Sequence, residues 1–147
     1  MTPILVALQL FRAHTAATRR LNDALQEMGM DTRHLTVMFQ IRDGAQTHGE
    51  LVRILGADKS GMVRTIDHLE RLGFVTRTRS PQDRRVWHLA LTESGSVALP
   101  TAQRHTSAIA AELFANLDSG ELISLHAALS PITRDEQTAA AAPHESS

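Results

Sequence analysis

The 147-residue chain contains no cysteine, and this absence excludes several kinds of chemistry at once. Without thiols there are no disulfide bridges, no thiolate ligands for zinc, no cysteine nucleophile and no sensing by thiol oxidation. No stretch approaches the roughly 18 consecutive apolar residues of a membrane-spanning helix. Residues 1–4 lack the basic region and the small-residue cleavage site of a secretory signal. We therefore expect a cytoplasmic protein with no membrane partner.

Patterns that carry catalysis or bind metals are also missing. No two of the eight histidines stand three or four residues apart, the spacing that makes a chelate on a helix, although a site built from distant histidines stays open. Residues 56–60 have a superficial likeness to a phosphate-binding loop, but Asp58 stands where that loop requires glycine. No Gly-x-Ser-x-Gly turn is present. We predict neither an enzyme nor a cofactor.

The net charge of −1 conceals an uneven distribution of charged residues. Residues 58–85 carry seven basic and four acidic side chains, a local charge of +3, which leaves −4 for the rest of the chain. A charge run is more commonly a solvated face. A local basic surface on an acidic protein is nevertheless typical of a footprint for the phosphates of a nucleic acid.

Apolar residues recur at three- and four-residue steps in the first half of the chain, which predicts four helices. A long first helix ends at Gly29, and a second has Thr32 as its N-cap and ends near Asp43. Residues 47–50 form a capping box that begins a third helix, and Asp58 caps a fourth. Two helices joined by such a short turn are typical of a helix-turn-helix.

Alternation of apolar and polar residues replaces the helical period over residues 74–79 and 86–91, which predicts two strands joined by a polar turn. Trp87 is in phase with Leu89 and Leu91. We therefore predict that it packs in the core between the hairpin and the helices rather than stacking on bases. A hairpin directly after a helix-turn-helix stands where the wing of a winged helix would be.

Two further helices follow the hairpin. Thr92 caps a long one in which Pro100 should introduce a kink or delay the regular start, and a last helix begins at Asp118 and should lose its regular part at Pro131. The predicted fold is mainly α with a small two- or three-stranded β wing. Its parts are dimerisation helices over residues 1–30 and 92–133, a winged helix-turn-helix over 31–91, and a flexible tail over 134–147.

Several separate motifs occur in a characteristic order between residues 51 and 95. They are Leu55-Gly56-Ala57-Asp58-Lys59-Ser60, Val63-Arg64-Thr65-Ile66-Asp67, Leu69-Glu70-Arg71-Leu72-Gly73-Phe74-Val75, Asp83-Arg84-Arg85 and Leu91-Thr92-Glu93-Ser94-Gly95. In this order and spacing the chain resembles the MarR family of winged helix-turn-helix transcriptional regulators. The flanking long helices fit that family in pattern only.

The resemblance implies a homodimer that binds double-stranded DNA at a pseudo-palindromic operator and acts as a repressor. In such proteins a recognition helix enters the major groove, and the resemblance places Arg84 or Arg85 in the minor groove with Asp83 holding the shape of the turn. An arginine such as Arg64 can form two hydrogen bonds to one guanine. The candidate DNA contacts are Thr47, His48, Lys59, Ser60, Gly61, Val63, Arg64, Arg77, Asp83, Arg84 and Arg85.

The resemblance also implies a small phenolic or otherwise anionic effector that binds between the dimerisation helices and the DNA-reading lobe. Candidates for that pocket are Phe11, His14, His34, Leu35 and Met38, although each residue type is more commonly part of an ordinary core or surface. The alternative function is a winged helix used for protein–protein contact, since the scaffold is not tied to DNA. A contiguous exposed apolar patch over Met62 and Val63 would favour that alternative.

Overall fold

A computed structural model of the protein describes the backbone of residues 1–141 and the side chains of residues 1–134. That part of the chain is mainly helical with a two-stranded antiparallel wing, as the sequence predicts. In chain order the elements are α1 (Pro3–Leu25), a 3-10 turn (Gln26–Met28), α2 (Thr32–Arg42), α3 (His48–Leu55), α4 (Lys59–Arg71), β1 (Val75–Arg79), β2 (Trp87–Leu91), α5 (Glu93–Leu113) and α6 (Ser119–Ala141).

The helix ends lie close to their predicted positions. Gly29 adopts the left-handed conformation with φ 71°, which glycine accepts without strain, and it ends the first helical segment as predicted. The N-cap of α2 is Asp31 and not the predicted Thr32. The Asp31 carboxylate accepts hydrogen bonds from the N–H groups of Arg33 and His34, and a negative charge at this position is also favoured by the helix dipole.

The expectation that α6 loses its regular part at Pro131 is wrong, because the helix continues to Ala141. α5 begins at Glu93, so Pro100 does not delay its start, and the alternative effect, a kink, stays a prediction. Proline removes one helical hydrogen bond but keeps a helical φ. In α5 the neighbouring Leu99 is buried in the core, which offsets that loss. Of the tail predicted over residues 134–147, the part up to Ala141 is therefore helical and the rest lies outside the described residues.

The core lies between α2, α4, the hairpin and the inner ends of α1 and α5. Its most completely buried side chains are Leu25, Val37, Met38, Leu51, Ile66, Leu69 and Val75. Within α4 the buried residues Met62, Ile66 and Leu69 recur at three- and four-residue steps. This periodicity turns the opposite face of α4 toward solvent.

The hairpin pairs Val75 with Leu91 at its base and Arg79 with Trp87 near its turn. The expectation that Trp87 packs in the core is wrong, because its side chain is 42% exposed whereas Leu89 is buried. Both residues lie on the same face of β2, but Trp87 is one pleat nearer the turn, where a small cavity separates it from α4.

The first and last helices leave apolar surfaces uncovered. The exposed large apolar residues of these two helices are Ile4, Leu5, Val6, Leu8, Leu10 and Phe11 in α1 and Leu122, Ile123, Leu125 and Ile132 in α6. Between the helices lies an apolar cleft of about 550 Å³ lined by residues that include Leu5, Leu10, Leu125 and Leu129. No helix in the described part of the chain is both long and apolar enough to cross a bilayer.

Candidate nucleic-acid interface

The starts of α3 and α4 are fixed by side-chain caps. Thr47 Oγ1 accepts a hydrogen bond from the Glu50 N–H at 3.1 Å, and Glu50 Oε2 accepts one from the Thr47 N–H at 3.3 Å. At the start of α4 the Asp58 carboxylate accepts from the Gly61 N–H at 2.7 Å. Both predicted caps are confirmed, and they define where each helix presents its N-terminal N–H groups.

The outward face of α4 carries the predicted base contacts. Lys59, Ser60, Val63 and Arg64 are exposed, and Gly61 is half-buried. Met62 points into the core with 3% exposure, so Met62 and Val63 do not form the contiguous apolar patch that would favour a protein-binding role. The face is instead small, polar and basic, which suits a groove of DNA.

His48 links the two helices of the helix-turn-helix. Its Nε2 lies 3.2 Å from the carbonyl oxygen of Lys59 and donates to it. The N-terminus of α3 is thereby held against the first residue of α4. Thr47 and His48 both have structural partners in the free protein, and their predicted contacts with phosphates stay predictions.

Arg77 joins the wing to α4. Its guanidinium pairs with the carboxylate of Asp67, and its Nε lies 2.9 Å from Glu70 Oε2. The side chain is only 28% exposed, so these pairs are partly shielded from water. Arg77 therefore fixes the angle between the hairpin and α4. The sequence analysis did not identify Asp67 and Glu70, although two carboxylates three residues apart on one helix are a recognisable partner for an arginine.

The turn of the wing is organised by Asp83, as the resemblance implies. Asp83 Oδ1 accepts from the Arg85 N–H at 3.0 Å and lies 3.3 Å from Arg85 Nε. The buried Ser80 accepts at its Oγ from the N–H groups of Gln82 and Asp83. Arg84 and Arg85 remain exposed, and the side chain of Arg85 is 91% exposed. Both guanidinium groups are therefore available to a phosphate or a groove.

Arg79 and Trp87 form a pair that the sequence analysis missed. The guanidinium carbon of Arg79 lies 4.4 Å from the centroid of the Trp87 ring, and Arg79 Nη1 donates to the carbonyl oxygen of Arg84. The signal that could have found this pair is the strand register. Arg79, the last residue of β1, lies opposite Trp87, the first residue of β2, so the register itself pairs a cation with an aromatic ring.

The five predicted effector residues occupy two different environments in the protomer. Phe11 and His14 lie on an open groove along α1, and Phe11 is 69% exposed. His34, Leu35 and Met38 are buried, the last two in the core. A single protomer does not bring the five together, because the inner face of α2 is covered while this part of α1 extends beyond the core. Among the described residues no cluster of three metal-binding side chains is found.

His34 connects α2 to α4 through a stacked pair of rings. Its Nδ1 accepts from the Asp31 N–H at 2.9 Å, and its ring stacks on His68 with centroids 4.5 Å apart. His68 Nε2 in turn donates to the carbonyl oxygen of Gly29 at 2.7 Å. Burial lowers the pKa of His34; the Asp31 carboxylate opposes that shift, and His68 and Arg33 reinforce it.

Comparison with known proteins extends these observations. A model of the MarR family matches residues 28–86, from the end of the first helical segment to the turn of the wing. A mutant MarR from E. coli complexed with operator DNA is similar to this chain with a TM-score of 0.80 and 25% identity, over 88% of this chain and 94% of that one. CouR from Rhodococcus jostii RHA1 bound to p-coumaroyl-CoA gives a TM-score of 0.75 and 26% identity, over 86% and 90% of the two chains.

Among curated proteins, the HTH-type transcriptional regulator YdgJ of Bacillus subtilis (strain 168) is 25% identical over 87 residues. The match covers 59% of this chain and 52% of YdgJ, so the chain matches about half the length of that relative. YdgJ is thus named as a transcriptional regulator, and the mutant MarR was solved with operator DNA.

Proposed function

We propose that this chain, as a winged helix-turn-helix protein of the MarR family, is a homodimeric repressor of transcription in the cytoplasm. It binds a pseudo-palindromic operator and is released from it by a small ligand.

The observation that carries the proposal is the exposed face of α4. The buried residues of α4 pack against the core, and its capped N-terminus and basic side chains face the solvent. Lys59 and Ser60 lie in the first turn, where free N–H groups and the helix dipole favour a phosphate. Arg64 lies one turn further, where it can form two hydrogen bonds with guanine O6 and N7.

The wing supplies a second contact. Arg84 and Arg85 stand at an exposed turn, and Arg77 fixes that hairpin against α4. A wing held at a constant angle can place its arginines in the minor groove while α4 lies in the adjacent major groove. Narrow minor grooves concentrate negative potential and attract arginine.

The homodimer is supported by the uncovered apolar surfaces of α1 and α6. The cleft between these helices is lined almost wholly by apolar residues and is too large to be a scatter of single exposed side chains. A second copy seated there would bury it and set two recognition helices roughly 34 Å apart, one turn of DNA. Operator half-sites would then be related by the two-fold axis of the dimer.

A ligand-controlled release is supported by the similar CouR structure, which is bound to p-coumaroyl-CoA. In this chain the groove of Phe11 and His14 lies on the helix that we assign to dimerisation. An anionic or phenolic compound bound there releases DNA only if it prefers the arrangement of lobes that does not fit the operator.

The experiment that tests the proposal is fluorescence anisotropy of the purified protein on its own upstream intergenic DNA and on a random duplex, at one salt concentration. Binding that is about 10³-fold tighter to the upstream DNA is the expected result for a specific regulator. Equal, weak binding to both duplexes, with no enriched fragment in a genome-wide selection, would contradict it and favour a protein-binding winged helix.

A further inference from the structure

The wing carries a cation–aromatic pair at the junction of its strands and its turn. Trp87 is 42% exposed, and the Arg79 guanidinium covers one face of its ring at 4.4 Å. The same guanidinium donates to the carbonyl oxygen of Arg84. One side chain thus connects the end of β1, the start of β2 and the tip of the turn.

This connection reaches the carbonyl oxygen of Arg84, for which the described residues offer no other hydrogen-bond donor. Backbone hydrogen bonds close the turn between Ser80 and Val86, and Asp83 holds Arg85. Among the contacts described for the turn, the Arg79 guanidinium is the group that donates to the carbonyl oxygen of Arg84, while Asp83 accepts from the N–H of the same peptide unit. A turn over residues 80–86 loses much conformational freedom when it is fixed, so one well-placed bond changes how constantly Arg84 is presented.

Trp87 also faces the recognition helix. With His48, Val63 and Arg77 it lines a small cavity of about 190 Å³ between the wing and α4. The indole therefore has Arg79 on one side and the space next to α4 on the other. Its position relates the tip of the wing to the helix that reads the major groove.

We propose that Arg79 and Trp87 form a positioning pair that fixes the tip of the wing for DNA, so that the uncharged Trp87 determines how many phosphate contacts Arg84 and Arg85 make. Trp87 supplies the platform on which Arg79 lies, and Arg79 orients Arg84 through its carbonyl group. This inference rests on the proposed DNA binding and names the residues that make the wing competent for it.

The first test uses the free protein. Trp87 is the only tryptophan and the chain has no tyrosine, so intrinsic fluorescence excited at the indole reports on the wing alone. Arg79→Ala uncovers one ring face and should raise the acrylamide quenching constant of Trp87 by about twofold. Arg71→Ala, which removes an exposed arginine at the end of α4, should leave it unchanged. Equal quenching in the Arg79→Ala variant and the unaltered protein would overturn the pair.

The second test measures operator affinity as a function of salt. Trp87→Ala removes no charge, yet we expect about fivefold weaker binding and a smaller slope of log K against log salt, because fewer phosphates are neutralised. Trp87→Phe keeps an aromatic platform and should restore most of both. Thermal unfolding of each variant checks that the fold is intact.

A double-mutant comparison separates positioning from direct contact. In the Arg84→Ala/Arg85→Ala background, Trp87→Ala should have no further effect, because the residues through which it acts are gone. A full additional loss would overturn the inference by showing that Trp87 contacts DNA itself, and an unchanged slope in the single variant would overturn it as well. If the unaltered protein binds no DNA, the proposed function fails; if it binds and Trp87→Ala has no effect, only this inference fails.

Discussion

Arg64 is the residue on which the proposed recognition of the operator's base sequence depends most. It is exposed on the outward face of α4, one turn after the capped N-terminus. We expect Arg64→Ala to weaken operator binding by about 1–3 kcal/mol and to relax the preference at one base position. Affinity for a set of operators with single base changes, measured by anisotropy, checks both effects.

A matched control for Arg64 lies on the same helix. Arg71 is also exposed, but it stands in the last turn of α4, away from the end that enters a groove. Arg71→Ala should lower affinity equally for all duplexes, or not at all. The assignment of α4 as the recognition helix is wrong if both variants keep the base preference of the unaltered protein.

His34 makes a second prediction, on the pH dependence of stability. Because burial lowers its pKa in the folded state below the ordinary 6.5, the folded protein resists protonation there. Above pH 6.5 the stabilising contribution of neutral His34 is complete. As the pH falls below that value, the unfolded chain takes up the proton first, so the free energy of unfolding decreases until the lowered pKa is reached.

The pH prediction is tested with His34→Gln, in which the amide can replace the ring as the reciprocal partner of the capping box. Urea unfolding between about pH 7.5 and about pH 5.5 should show a smaller loss of stability in His34→Gln than in the unaltered protein. His105→Gln, at an exposed position on α5, should follow the unaltered protein. Identical pH slopes for all three proteins would contradict the assignment.

Single residues also show what the sequence can and cannot predict. The caps at Thr47, Asp58 and Thr92 were predictable because a cap depends on side chains within three residues of each other. The exposure of Trp87 was not predictable. Its phase with Leu89 and Leu91 shows which face of the strand it lies on, but whether that face is covered depends on the packing of the neighbouring helices. The partners of Arg77 also lie on another element.

At the scale of secondary-structure elements, the contact between the start of α5 and the residue that precedes β1 depends on one close approach. A Cβ added at Gly95 would lie 2.1 Å from the carbonyl oxygen of Phe74, a backbone atom that cannot turn aside. We expect Gly95→Ala to destabilise the protein by about 1–3 kcal/mol, since the start of α5 must move away from the hairpin. Thermal and urea unfolding measure this change.

Gly49→Ala is the matched control for this prediction. Gly49 lies in α3, and an added Cβ would have no neighbour within 4 Å. Alanine there should leave stability equal or raise it by about 0.5–1 kcal/mol through its greater helix propensity. Comparable destabilisation in both variants would mean that the close approach at Gly95 is not the cause.

Elements that depend on local pattern were predicted well, and those that depend on packing were not. The boundaries of α3 and α4 follow from caps and from the period of their buried residues. α6 continues past Pro131, where its regular part was predicted to end, and α5 begins at Glu93 despite Pro100, where the burial of the neighbouring Leu99 offsets one missing hydrogen bond. The angle between wing and α4 rests on ion pairs from Arg77; the two carboxylates are a recognisable partner in the sequence, but which arginine meets them depends on the tertiary packing.

At the scale of the whole molecule, the protomer has two unequal halves. Residues near the helix-turn-helix build a closed core, whereas the first half of α1 and most of α6 have exposed apolar side chains. The sequence predicts both helices as dimerisation elements from their length and apolar period. It cannot show which apolar residues line the cleft between them, because that depends on how α1 and α6 approach each other in space.

The cleft gives the prediction that joins assembly to function. Leu5 and Leu125 line it from α1 and α6, and Leu5 is 57% exposed in the protomer, so Leu5→Asp should leave the protomer folded by circular dichroism. In a dimer the introduced charge would be buried without a partner. We expect Leu5→Asp to be monomeric by light scattering and to lose about 10²-fold or more in operator affinity, since two linked half-sites reinforce each other. Thr36→Asp, at an exposed position of α2 outside the predicted dimerisation helices, should remain dimeric. A dimeric Leu5→Asp protein with full operator affinity would show that the two copies meet elsewhere, whereas a monomer that still binds the operator tightly would show that each protomer reads DNA alone.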